Sequence, residues 1–170
     1  MENKYTPLAD YDYQMIEAYI DKPEVTEWYV NAFKKFNING VDVMKWHWSW
    51  WAFFGSVFYL LYRKSYVAAG TLFLLILVMS FIPLGWIILW ILAGGYAPYF
   101  VYRTYQEKKV DTELKIADNE TRLETMRLLG GTNEWAIWIG LVIHFFFWIG
   151  TLSMMGAIVA LLAMVAASAS

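Results

Sequence analysis

Cysteine is absent from the 170 residues, which removes disulfides, thiolate nucleophiles, iron–sulfur clusters and zinc–thiolate sites together. Charge is scarce too. Only 16% of the residues are Asp, Glu, Lys or Arg, against about 25% in soluble domains. The formal net charge of −2 gives no ground for a nucleic-acid partner. No phosphate-binding loop surrounds Gly94-Gly95 or Gly130-Gly131, and the acidic residues between Asp111 and Glu124 lack calcium-loop spacing. The polar segment Met1–Leu8 does not read as a cleavable leader, and insertion into a membrane is expected to use internal helices.

Hydrophobic residues, by contrast, make up 59% of the chain, and the charges that exist are segregated. No Asp, Glu, Lys or Arg lies between Ser65 and Tyr102 or between Trp135 and Ser170. Each tract exceeds the ~20 residues that a spanning helix needs. Ahead of them, residues 46–66 carry ten aromatic side chains and end on Arg63-Lys64-Ser65-Tyr66. Trp and Tyr rings collect where hydrocarbon meets headgroups. Trp46, Trp48, Trp50, Trp51, Arg63 and Lys64 are therefore read as interfacial anchors.

The expected fold is an all-α integral membrane protein with three transmembrane helices, an interfacial or re-entrant aromatic helix and cytosolic amphipathic helices. Residues 1–45 are expected to form two amphipathic helices, starting at Thr6-Pro7 and at Lys22-Pro23-Glu24. Leu8, Tyr11, Met15 and Tyr19 mark the face of the first. Val25, Trp28, Tyr29, Ala32, Phe33 and Phe36 mark that of the second, before a turn at Asn37–Gly40. Five Lys against eight Asp and Glu in this segment favour packing on protein over lying on lipid.

Trp46–Tyr62 offers about 25 Å of helix, short of a ~30 Å hydrocarbon core. With cations at both ends it dips in or lies flat on the cytoplasmic side; the alternative is a fourth crossing with the N-terminus outside. Residues 66–102 read as a spanning hairpin: a helix over Tyr66–Ile82, a tight far-side turn at Pro83-Leu84-Gly85, and a returning helix that runs on into the polar zone. Residues 103–134 hold six cations and seven anions, and that near balance points to a solvated helical hairpin, not to a docking patch for acidic lipid. Residues 135–170 form the last spanning helix, tilted or frayed over Ala166–Ser170. Ala93, Gly94 and Ala97, and Gly140, Gly156 and Ala160, are small residues that let another helix approach closely.

The pieces Trp48-Ser49-Trp50, Ala52-Phe53-Phe54, Leu61-Tyr62-Arg63-Lys64, Tyr105 through Lys109 and Leu129-Gly130-Gly131-Thr132-Asn133 resemble an uncharacterised family of small bacterial inner-membrane proteins. The preceding Trp28-Tyr29 through Phe36 is similar to that family's N-terminal helix. Ser49 stands where Asn is usual, and Ser56-Val57 where Gly-Pro is common, so the bend there is expected to differ. The resemblance implies a multi-pass location in the bacterial cytoplasmic (inner) membrane and carries no activity. Charge placement puts the N-terminus in the cytoplasm and the C-terminus outside.

His144 is the ionisable group inside the last tract, with Thr151 on the same face two turns away. Met154 and Met155 lie about 15 Å along the axis, too far to share one copper with it. No cofactor or metal is expected, and paired haem ligation by His47 and His144 has no sequence support. An enzyme would need converging groups, and only His47 beside Arg63 comes near that. The leading expectation is a non-enzymatic accessory or scaffold subunit in the lipid bilayer, packed against a membrane-protein partner or its own copies. The alternative is a self-associating small channel or transporter, whose path would have to use His144, Thr71, Ser80, Thr151 and Ser153.

Overall fold

A computed structural model describes residues 10–38 and 40–168. The expected helix start at Thr6-Pro7, Leu8, and the last two residues of the chain lie outside that range. Eight helices follow in order: α1 (Asp10–Ile20), α2 (Pro23–Phe36), α3 (Trp50–Gly55), α4 (Val57–Tyr62), α5 (Tyr66–Met79), α6 (Gly85–Lys115), α7 (Asn119–Leu129) and α8 (Glu134–Ser168). One departure from an all-helical chain is a two-residue antiparallel ribbon, β1 (Asn37–Ile38) with β2 (Val41–Asp42). Gly40 turns it at φ +83° and donates its N–H to the Asn37 Oδ1.

The core lies among α1, α2, α4, the lower half of α6 and α7. Met15 and Tyr19 of α1 and Tyr29, Ala32, Phe33 and Phe36 of α2 are buried, on the faces expected from their spacing, and Ile20 of α1 is buried beside them. They meet Tyr99, Tyr102 and Tyr105 of α6 through ring contacts such as Phe33–Tyr105 at 5.3 Å and Phe36–Tyr99 at 5.5 Å. The Lys109 ammonium of α6 reaches the Asp12 carboxylate of α1 at 2.6 Å. The two amphipathic helices thus pack on protein, and residues 10–38, 40–42 and 103–134 form one body.

The aromatic block is not one helix. Trp46–Ser49 is not helical, Ser49 caps α3 by accepting the Ala52 N–H, and the chain breaks at Ser56, which takes φ +46°. Neither six-residue piece, about 9 Å long, can cross a bilayer.

Among the described residues two helices, α6 and α8, are long and apolar enough to cross a membrane; the first of the three expected spans falls short of that length. The helix starting at Tyr66 ends at Met79 after 14 residues, about 21 Å. Ser80–Leu84 then forms a tight apolar turn in which the N–H groups of Ser80, Phe81, Ile82 and Gly85 are bonded to Ile76, Val78, Met79 and Ile82 carbonyls. Pro83 has no N–H to satisfy. Phe81 at the tip is 88% exposed.

The last helix, α8, runs 35 residues, about 52 Å. Only its first turns touch the body, where Ala136 and Gly140 are buried and the Phe58 ring covers Gly140. The Trp90 ring of α6 stacks on His144, so the start of α6 stands level with about Ile149. From there to Ser168, α8 extends about 28 Å further, with its apolar side chains exposed.

Candidate functional site

The family-like motifs converge on the C-terminus of α1. That helix ends where Asp21 takes φ +49°, leaving carbonyls that need donors. The Gly131 N–H bonds the Tyr19 carbonyl at 2.8 Å, and Arg63 donates from Nη1 to the Ile20 carbonyl at 3.1 Å. One donor comes from Gly-Gly-Thr-Asn and the other from Leu-Tyr-Arg-Lys, motifs some 65 positions apart. Gly130 makes the closure possible, because any Cβ there would run into the Tyr19 backbone carbonyl. Asn133 completes it: its N–H bonds the Tyr62 carbonyl at 2.9 Å, and its Nδ2 donates to the Leu61 carbonyl and the Tyr66 hydroxyl at 3.1 and 2.7 Å.

Arg63 is only 5% exposed, which corrects its reading as a headgroup anchor. Its guanidinium carbon lies 4.6 Å from the Tyr29 ring centroid and 5.2 Å from that of Tyr62. No carboxylate pairs with it among the described residues. The negative end of the α1 dipole and the two ring faces balance the charge instead. The Tyr29 and Tyr59 hydroxyls bond each other at 3.0 Å beside it. Burial pushes the Tyr19 hydroxyl, which also feels Arg63, well above the ordinary phenol value, so this cluster holds its protons at neutral pH.

Lys64 follows at φ +54°. Its N–H bonds the Leu61 carbonyl and the Ser65 N–H bonds the Leu60 carbonyl, the pairing of a left-handed helix cap that usually carries glycine. Lys108 reaches over the Tyr19 ring at 5.3 Å and donates to the Leu129 carbonyl at 2.7 Å, at the end of α7.

A second constellation lies where the aromatic block meets α6. Pro98 supplies no N–H, so the Gly94 carbonyl four residues back has no helical donor. Ser49 takes it with a backbone bond of 2.8 Å, and His47 bonds the Gly95 carbonyl at 2.9 Å. The rings of Trp46 and Trp48 then lie flat on Gly95 and Gly94 where side chains would stand. Gly94 therefore receives this chain's own tryptophan and not an incoming helix, and Ala93 and Ala97 are buried within the body. The spacing from Gly94 to Pro98 was the signal that reveals this, and the motif reading passed over it. Trp50 and Trp51 remain exposed. Burial, and secondarily the Lys35 ammonium, push the His47 imidazole below its ordinary value; Lys35 Nζ lies 3.3 Å from its Nδ1.

His144 and Thr151 are not joined to each other. His144 Nδ1 lies 2.8 Å from the Gly140 carbonyl, and Thr151 donates to the Phe147 carbonyl at 2.8 Å. Both bonds stay within α8. Gly156 and Ala160 are exposed, with open space around Gly156. Among the described residues, no group of three or more His, Asp and Glu could hold a metal ion.

Comparison with protein-family models, curated proteins and solved structures finds no match.

Proposed function

We propose that this chain is a non-enzymatic integral protein of the bacterial cytoplasmic membrane that serves as an accessory or scaffold subunit for another membrane protein. One observation carries the reading: past Gly140, α8 has no charged residue and its large apolar side chains lie exposed. An apolar helix of this length in water would leave a patch far beyond the few hundred Å² that soluble monomers expose. Acyl chains and a partner helix remove that cost, and the open small-residue positions Gly150, Gly156 and Ala160 suit close helix contact.

In this reading α8 crosses fully, with the N-terminus in the cytoplasm and the C-terminus outside. The α5–α6 hairpin reaches about 21 Å into the layer, less than a ~30 Å core, and turns inside it. Its tip suits that depth, since an apolar turn with most of its N–H groups bonded internally loses less on leaving water. The back-bonded His144 and Thr151 offer no continuous polar path, which weighs against the channel alternative.

Purification in mild detergent after in-cell crosslinking tests the proposal. A defined hetero-assembly is expected, held through α8 and lost when Gly150, Gly156 and Ala160 are replaced by Leu. A monodisperse monomer with no crosslinked neighbour contradicts it.

A further inference from the structure

We propose that Lys64 and Lys108, over the joined ends of α1 and α7, form a receptor for one phosphate group, borne by a lipid headgroup or free in solution. Along the sequence the polar zone is nearly neutral, but folding sorts it. Lys109 pairs with both Asp12 and Glu113 on one side of α6, and Asp42, Glu107 and Asp111 line another. The cations Arg63, Lys64, Lys108 and Arg127 gather at the motif junction.

The Lys108 Nζ bonds the Leu129 carbonyl, and two residues further on a Cβ built on Gly131 would stand 3.9 Å from the Lys64 Nζ. Neither lysine has an ion-pair partner among the described residues. Arg127 lies 3.8 Å from Asp21, the carboxylate at the junction. Glu107, on the next position of α6, is engaged by Arg103 at 3.6 Å. Arg63 is buried against the α1 C-terminus and two tyrosine rings and Arg127 lies by Asp21, which leaves Lys64 and Lys108 as the two cations of the junction with no carboxylate partner among the described residues. That remainder matches a phosphate monoester.

Two further features fit a ligand at this place. Lys64 occupies a left-handed backbone position that glycine would hold with less strain, so the ammonium is kept against a local cost. Exposed Tyr66, Val67, Leu128 and Trp135 surround the junction in sequence and set it at the level where the apolar helices begin. The lipid source rests on the membrane placement proposed above; the free-phosphate source does not.

The test uses the purified full chain in neutral detergent, titrated with dioleoylphosphatidate, dioleoylglycerol or inorganic phosphate, and read by native mass spectrometry and thermal unfolding. Phosphatidate is expected to bind saturably and dioleoylglycerol is not. Lys64→Gly should leave the unfolding temperature unchanged or raised and weaken phosphatidate about fivefold, and Lys64→Gly with Lys108→Gln about 30-fold. Inorganic phosphate that competes assigns a soluble anion, and phosphate that does not compete assigns the headgroup; either outcome supports the receptor. Equal binding of phosphatidate and dioleoylglycerol, or unchanged affinity in the double variant, overturns it. A missing partner in the crosslinking experiment would leave this result untouched, so the two proposals fail separately.

Discussion

At Gly130 the backbone of α7 touches the backbone of α1, and a single methyl group has nowhere to go. Gly130→Ala is expected to lower stability by about 1–3 kcal/mol, read as a drop in unfolding temperature with loss of near-ultraviolet dichroism from the tyrosine cluster. Unchanged unfolding would mean that the junction is looser than described. His47 gives a pH-dependent counterpart. Its folded-state proton affinity is depressed by burial and then by Lys35, so the folded form resists protonation while the unfolded chain takes up a proton. Its contribution to stability is complete above about pH 6.5 and falls as acid lowers the pH through that value towards the folded-state one. His47→Gln should lose less stability between neutral and mildly acidic pH than the parent chain does; equal loss in both would contradict this. Residue-level patterns were the most legible part of the sequence. Tyr19, Tyr29, Phe33 and Phe36 were marked for burial by helical spacing alone. The burial of Arg63 was not legible, because a cation next to an aromatic block reads the same way at a lipid surface and over two tyrosine rings.

Elements were less transparent. The aromatic block looked like one segment because composition changes smoothly through it. Its division into an irregular segment, α3 and α4 depends on Ser56 taking a positive φ and on Pro98, in a different helix, releasing a carbonyl for Ser49. Such a pairing across some 45 residues has no local signature except the glycines it needs. Gly95→Leu should expel the Trp46 ring, lowering stability by about 1–3 kcal/mol and shifting tryptophan emission to longer wavelength; a parent-like spectrum and unfolding curve would count against the clasp. The α5–α6 hairpin was misjudged in length, since apolar residues continue through the turn to Ile82 and composition cannot separate turn from helix. With its tip in hydrocarbon, Phe81→Lys should cost about 2.5–3.5 kcal/mol of insertion free energy, seen as a lower fraction resisting carbonate extraction. Full integration of that variant would place the tip in water.

The whole molecule divides into a polar body whose core is built from tyrosine and phenylalanine, and a long helix whose side chains have almost nothing of this chain to touch. The charge-free tract after Trp135 was legible as a long apolar helix from composition. Which side chains it shares with the body was not, since that depends on Phe58 and Trp90 meeting Gly140 and His144. The account depends on lipid, or a partner within lipid, covering what the protein leaves bare. Ser153 tests this most directly, because it is exposed on the protein itself and the chain has no cysteine to interfere. In intact membrane vesicles, a Ser153→Cys chain should resist a water-soluble maleimide until detergent is added, while Glu120→Cys on opened vesicles reacts at once. Prompt labelling of both positions in water, without detergent, would show that α8 is not covered and would contradict the account.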